Sequence, residues 1–276
     1  MSTAPQPVTH HLPLSDLLEL RRWNTPTIYN GWERITAHPI ATTGFNREPL
    51  TDFMPEMGAM VGYAATVVIE PSNPAHAAAA PGAWAAYRRY IASLPGPTIV
   101  VVQDLDRPHA VGAFWGEVNS GIHRALGCVG TIIDGAIRDL DDMKAVGFKA
   151  LARQLAVGHA HSTPLRWGCP VAVFGRTVLP DQLIHADKHG FVAIPREDEA
   201  RLLGAARYLD SLECRTVIPA SRDTAGQTRA QLLATIDAAC VRYGAEAATR
   251  FRSGGEWGRE PAAAPAAAPG AGEAQS

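Results

Sequence analysis

Gly112 to Asp139 reads GAFWGEVNSGIHRALGCVGTIIDGAIRD. Gly112, Gly116 and Glu117 form a glycine-spaced turn carrying an acid, and after twenty further residues the pair Arg138-Asp139 follows. Upstream lies the β-branched run PTIVVVQD, and within the stretch a helical stripe of Val118, Ile122 and Leu126 precedes a second run, GTIIDG. Such runs, bounded by Gly, Pro or Asp, suit strands buried in a sheet, and helical spacing between them predicts strands alternating with helices. The expected fold class is therefore α/β and layered.

If VVVQD is a strand and VNSGIHRAL a helix, Gly112 to Glu117 is the crossing between them. The amides of Gly116, Glu117, Val118 and Asn119 then sit in a helix's first turn, where unpaired N–H groups attract a carboxylate or phosphate. Glycine at 116 lets the main chain approach a ligand closely or take positive φ. Asp134 and Gly135 end the next apolar run, with Arg138 and Asp139 just beyond it, at the strand end where α/β folds gather ligand groups. Arginine offers a rigid fork for both oxygens of a 2-oxo acid's carboxylate, and ionised aspartate is a hard oxygen ligand for Mg²⁺ or Mn²⁺. Each half also has a plainer reading. A glycine at a strand-to-helix crossing shapes a turn, and Arg-Asp is a common surface ion pair.

The same texture extends outward. MVGYAATVVIE from Met60, PVAVFG and GFVAIP are further strand-like runs, Trp84, Tyr87, Ile91 and Leu94 mark another helical stripe, and Leu232, Leu233, Ile236 and Cys240 a third. Leu14 to Trp23 predicts a short amphipathic helix with Ser15 at its N-cap and Leu17, Leu18 and Leu20 inward. Thr25-Pro26 predicts another, Thr25 capping, ahead of Ile28, Trp32 and Ile35. Residues 1–12 are expected to be loose, 13–252 to form one domain, and the Gly/Ala/Pro-rich 253–276 to be a disordered tail.

With 276 residues, 46% hydrophobic and 19% charged, there is material for a sizeable core. A formal charge of −2 offers no basic field for nucleic acid or an anionic membrane, so neither is an expected partner. Cys128, Cys169, Cys214 and Cys240 are far apart, with no Cys-x-x-Cys pair, and read as reduced, mostly buried thiols. The start of the chain lacks the basic and apolar features of a signal peptide, and no segment approaches the roughly 20 apolar residues of a membrane span, so a cytoplasmic location is expected. His159 and His161 have no third ligand at a useful spacing and are assigned to a loop or strand without metal; His185 and His189, flanking Asp187, are declined as ligands too.

Loop, acid, strand and Arg-Asp in this order resemble the signature of the class II pyruvate aldolases related to regulator of ribonuclease activity A, the family of 4-hydroxy-4-methyl-2-oxoglutarate aldolase. The likeness runs roughly from Leu14 to Arg215, taking in TPTIYNGWERI, MGAMVGYAATV and VLPDQLIHADKHGFVAIP. Within the last segment Asp187 and Gly190 match, while Asp181 follows Pro180 directly in place of Pro-Gly-Asp; Asn30 stands where many members carry Asp. Asp181, Asp187 and Gly190 suffice as turn formers and are kept outside the site.

The resemblance implies a swivelling β/β/α domain with mixed sheets and flanking helices, assembling as a homotrimer or a dimer of trimers with sites between subunits. Glu213 is the nearest candidate for the glutamate that relatives draw from a neighbouring subunit. It also implies an enzyme dependent on Mg²⁺ or Mn²⁺. In that reading Asp139 and waters hold the cation, Arg138 and the amides of Gly116 to Asn119 fix the carboxylate of a 2-oxo acid, and Glu117 orients a water that shuttles the proton. The reaction implied is cleavage of a 4-hydroxy-2-oxo acid to pyruvate, with oxaloacetate decarboxylation through the same enolate as a second activity. The alternative class is a non-catalytic regulator that binds ribonuclease E. A methyltransferase, a label some relatives have carried, is disfavoured because no Gly-x-Gly-x-x-Gly turn follows a strand.

Overall fold

A computed structural model of the chain describes residues 11–251. The tail expected at 253–276 lies outside them, as does the expected loose start up to position 10. His11 and Leu12, the last residues of that start, are packed: the His11 ring stacks on Tyr63 with centroids 3.5 Å apart, and the Leu12 amide donates to the Tyr63 hydroxyl at 2.9 Å.

Helix α1 (Leu14–Leu20) begins behind Pro13; the Ser15 hydroxyl does not cap it but donates to Asp16. Leu17 and Leu20 are buried, whereas Leu18 is exposed. Helix α2 (Thr25–Glu33) is capped by Asn24, whose Oδ1 accepts from the Thr27 amide at 2.9 Å. Thr25 is unavailable as a cap because it is buried, its hydroxyl against His185 Nδ1 and its amide donating to Asp187 Oδ2. Ile28, Trp32 and Ile35 point inward as their spacing predicts.

Strand β1 (Thr51–Asp52) leads to β2 (Met60–Ile69), buried along its whole length. Helices α3 (Ala75–Ala79) and α4 (Ala83–Ser93) cross to β3 (Thr98–Asp104); β4 (Ala113–Trp115) and α5 (Glu117–Ala125) cross to β5 (Cys128–Ile137). Helix α6 (Leu140–Ala145) returns the chain to β6 (Lys149–Leu155). After β7 (Arg166–Trp167) and the pair β8 (Val171–Val173) and β9 (Arg176–Val178) come β10 (Leu183–Asp187) and β11 (Gly190–Ile194). Helices α7 (Arg196–Arg215), α8 (Val217–Arg222) and α9 (Arg229–Arg250) follow.

The main sheet has the order β1-β6-β5-β3-β2-β10-β11. Its centre, from β2 through β3 and β5 to β6, is parallel, and β10 and β1 add antiparallel strands at either side. Side chains of the central strands alternate between two cores. Val67, Val100, Val102 and Ile133 pack with Tyr87, Trp115 and Phe148, while Val68, Ile99, Val101 and Ile132 pack with Phe174 and Ile184. Burial on both faces is why these strands read as unbroken apolar runs.

Two strands depart from that texture. Lys149 opens β6 with its side chain 2% exposed, Nζ lying 2.6 Å from Asp52 Oδ2 and 2.8 Å from Met54 O. His185, in the middle of β10, donates from Nε2 to Leu20 O at 3.1 Å, and burial holds its pKa down at about 4.

The thiols differ from expectation: Cys128 is buried, Cys169 half-buried, and Cys214 and Cys240 exposed, all free. The two exposed ones sit on α7 and α9, and the Leu232-to-Cys240 stripe of α9 stays largely uncovered, with Leu233 59% exposed and Ala247 the buried residue of that helix. Among the described residues no helix is long and apolar enough to cross a membrane.

Candidate active site

Strand β4 brings the two halves of the Gly112–Asp139 stretch together. It pairs in parallel with the end of β5, Ala113 beside Ala136 and Trp115 beside Ile137, and the Arg138 amide extends the ladder to Trp115 O at 3.1 Å. Because β5 continues past Asp134 and Gly135 to Ile137, Arg138 follows the strand directly and Asp139 turns the chain into α6. Asp139 makes that turn at φ 54°, ψ 50°, a left-handed conformation that Asp tolerates better than most residues. Its carboxylate leaves α6 uncapped. Instead Oδ2 accepts from the Glu117 amide at 3.1 Å and lies 3.6 Å from Arg138 Nε.

Gly116, the N-cap of α5, is extended, so its backbone alone does not demand glycine. The demand is steric: a Cβ there would lie 2.5 Å from Asp139 Oδ2 and 3.1 Å from Arg138 Nε.

Three expectations change at this point. Of the four amides expected to be open to an anion, that of Glu117 is taken by Asp139, while Val118 and Asn119 remain in the first turn, where no intrahelical acceptor exists. Helix α5 turns Ser120 and His123 inward, leaving Val118 73% exposed. His123 donates from Nδ1 to Asn119 O at 2.8 Å and packs edge-on to Trp115; burial lowers its pKa to about 4, and the nearby Arg88 charge adds to that shift. Asp134 is withdrawn from the surface altogether, accepting from Arg107 Nη1 at 2.9 Å, Arg153 Nε at 2.6 Å and the Phe174 amide at 2.9 Å.

Gly116, Glu117, Val118, Asn119, Arg138 and Asp139 all line one groove of about 600 Å³. Its remaining walls carry residues not expected there from sequence: Trp84 and Arg88 from α4, Phe114, and His159 and Ser162 from the loop after β6. Trp84 stacks on Phe114 with centroids 5.2 Å apart and planes 13° from parallel. His159 donates from Nδ1 to Ala160 O at 2.8 Å. Glu213, half-buried on α7, is not among the lining residues; burial, then the charge of Asp210, raises its pKa. A smaller depression of about 400 Å³ beside Tyr29, Phe45 and Phe191 has no carboxylate or guanidinium on its walls, so the charged chemistry belongs to the larger groove.

Among the described residues no three or more His, Cys, Asp or Glu side chains gather as a metal cage. Two carboxylates line the groove: Asp139, with Oδ2 steadied by the Glu117 amide and Oδ1 without a partner among the described residues, and the exposed Glu117. Mg²⁺ retains several waters and takes one or two carboxylates plus substrate oxygens, so this donor set fits it.

A family model described as RraA-like, Aldolase/RraA, matches residues 34–193, a span that contains all six of the paired-motif residues. The chain belongs to the RraA-like family. A relative from Halalkalibacterium halodurans, named provisionally as a 4-hydroxy-4-methyl-2-oxoglutarate aldolase, is 30% identical over 114 residues, 41% of this chain and 53% of that protein. The chain thus matches about half the length of that relative. Two solved structures share the RraA-like fold. One is an uncharacterized protein from Pseudomonas syringae pv. tomato, with TM-score 0.61, 22% identity, and coverage of 82% of this chain and 100% of that one. The other is RraAS2 of Streptomyces coelicolor, described as an unusual member of the RNase ES inhibitor RraA protein family, with TM-score 0.59, 20% identity, and coverage of 75% and 97%. The architecture is accordingly the layered α/β one, a swivelling β/β/α domain with a mixed sheet and flanking helices.

Proposed function

We propose that this RraA-like chain is a divalent-cation-dependent pyruvate aldolase, a carbon-carbon lyase acting on a 4-hydroxy-2-oxo acid of the 4-hydroxy-4-methyl-2-oxoglutarate type. One observation carries the reading: Asp139, Arg138, Glu117 and the first turn of α5 converge on one groove, with Asp139 Oδ2 held 3.1 Å from the Glu117 amide. Arg138 pairs with the substrate carboxylate through its fork, and the amides of Val118 and Asn119 add donors on the same side. Asp139 is the residue that would hold Mg²⁺ or Mn²⁺, which when bound supplies Lewis-acid stabilisation of negative charge on the keto oxygen.

In the reaction the C4 hydroxyl gives up its proton, the C3–C4 bond breaks, C4 becomes a carbonyl, and the bonding electrons pass into the enolate of pyruvate. Glu117, exposed on the groove wall, is placed to accept the hydroxyl proton through a water and to return it to C3, so protons balance without a co-reactant. Loss of CO₂ from oxaloacetate leaves the same enolate, which makes decarboxylation a second activity of the same residues. The test is pyruvate release from 4-hydroxy-4-methyl-2-oxoglutarate and from oxaloacetate, coupled to lactate dehydrogenase, with and without EDTA. Turnover indifferent to EDTA, or undiminished in Asp139→Ala, would sink the reading.

A second reading, a non-catalytic scaffold that binds ribonuclease E, draws on the RNase ES inhibitor family to which RraAS2 is assigned. A scaffold of that kind has no use for a guanidinium, a carboxylate and a helix start turned into one groove, which is why the lyase reading is preferred. Capture of ribonuclease E by a chain that releases no pyruvate would reverse the preference. We further propose a homotrimer or dimer of trimers, with Glu213 of one subunit near the groove of the next; a monomer in sedimentation would remove that role for Glu213.

A further inference from the structure

Arg88 is an unspent cation. It projects from α4 into the same groove as Arg138, is half-buried, and has no carboxylate partner among the described residues. A guanidinium partly withdrawn from water and left unpaired is costly unless a ligand supplies the counter-charge. Its neighbours limit what that ligand is. Beside it the stacked Trp84 and Phe114 rings, with Val118 and Ile122, make an apolar wall, and the polar end of the groove is already committed to Arg138, Asp139 and the start of α5.

We infer that Arg88 is a specificity-determining residue that reads a second carboxylate, at the C4 end of the substrate, so the groove selects 4-hydroxy-2-oxo acids anionic at both ends over those with a neutral C4 substituent. The assignment rests on the aldolase reading for its chemistry, but as a binding statement it stands apart from it. The 2-oxo acid end lies at Arg138, the carbon chain runs along the Trp84 and Phe114 rings, and the distal carboxylate meets Arg88. The guanidinium contributes by binding and takes no part in moving the proton.

The test uses ligands that differ in that group alone. The full chain is titrated calorimetrically, in the presence of Mg²⁺, with 2-oxoglutarate and with 2-oxopentanoate, equal in carbon number and carrying a terminal carboxylate or a methyl. The expected preference of the native protein for 2-oxoglutarate is about 30-fold, equivalent to about 2 kcal/mol at 1.36 kcal/mol per tenfold. Arg88→Met is expected to reduce it below about 3-fold, and Arg88→Lys to keep part of it, since an ammonium retains charge without the fork. Arg88→Gln serves if the methionine variant does not fold. A native protein with no preference, no measurable binding of 2-oxoglutarate, or a preference intact in Arg88→Met overturns the inference. Discrimination that depends on Arg88, with no pyruvate released from any 4-hydroxy-2-oxo acid, overturns the aldolase reading and leaves Arg88 in place.

Discussion

Asp139 Oδ2 and the Glu117 amide nitrogen are 3.1 Å apart, so the carboxylate that begins α6 is anchored to the helix start that begins α5. Neither element alone would fix that side chain. The two strands beneath do so by their parallel register, Trp115 against Ile137, which sets the distance between the segments before any side chain is considered.

Gly116→Ala should separate activity from stability. The added Cβ meets the ends of the Asp139 and Arg138 side chains, which can swing away, so the fold is expected to survive with its melting temperature within a few degrees while pyruvate release falls at least tenfold. Gly112→Ala is the contrast: its Cβ would lie 2.5 Å from His159 O, a main-chain atom, and the loop after β6 would have to move. Circular dichroism melts and the coupled assay on both variants check this; a Gly116→Ala enzyme as active as the native one would refute it.

Asp139→Asn isolates charge from backbone. Asparagine accepts the left-handed conformation about as well as aspartate, so a melting temperature close to native is expected together with a loss of roughly 100-fold or more in kcat. Activity that Mg²⁺ still stimulates fully in this variant would show that the cation is held elsewhere.

Lys149 and Asp52 are a buried pair, each 2% exposed, and removing one partner strands the other. Lys149→Ala is expected to lose about 3–5 kcal/mol in urea unfolding, with much of that regained when Asp52→Leu is added. Equal losses in the single and double variants would argue that packing, not charge, dominates.

Asp104 gives the fold a pH signature. It is fully buried, and burial first, then the charges of Asp106, Asp134 and Glu70, raise its pKa to about 7, against the opposing bond from the Asp106 amide. Between about pH 4 and pH 7 the folded chain therefore keeps a proton that the unfolded chain has released, and this group's contribution to stability falls as pH rises. His123 and His185, lowered to about 4, act with the opposite sign, withdrawing stability as pH falls from about 6.5 to 4. Asp104→Asn keeps an acceptor for the Asp106 amide, so the difference between variant and native protein should grow by roughly 2–4 kcal/mol from pH 4 to pH 8. A difference flat across that range would remove Asp104 as the titrating group.

What was legible in the sequence follows from burial. β2, β3 and β5 are covered on both faces, so their composition alone exposes them. β10 and the first four residues of β6 are just as internal, but Lys149 and His185 interrupt their apolar runs, and the partners that make those residues tolerable, Asp52 and Thr25, are distant in the chain. The α5 stripe misleads for a related reason: Val118 and Ile122 line the groove while a histidine and a serine face the core, and of the three stripe residues only Leu126 packs against it. Within the groove, the paired motif places six lining residues because spacing and strand order are local facts. Arg88 and Trp84 reach it from a helix that crosses over from another part of the sheet; Trp84 reads only as part of a helical stripe, and nothing in the local pattern ties either residue to the groove.

The antiparallel addition of β10 to β2, with Leu183 beside Tyr63, has a consequence for biosynthesis. While the ribosome is still making the intervening segment, one side of β2 presents a free row of hydrogen-bonding groups among apolar side chains, an open template for another emerging polypeptide. Fragments that stop short of Leu183 should accumulate as inclusion bodies even though they already contain the whole Gly112–Asp139 stretch.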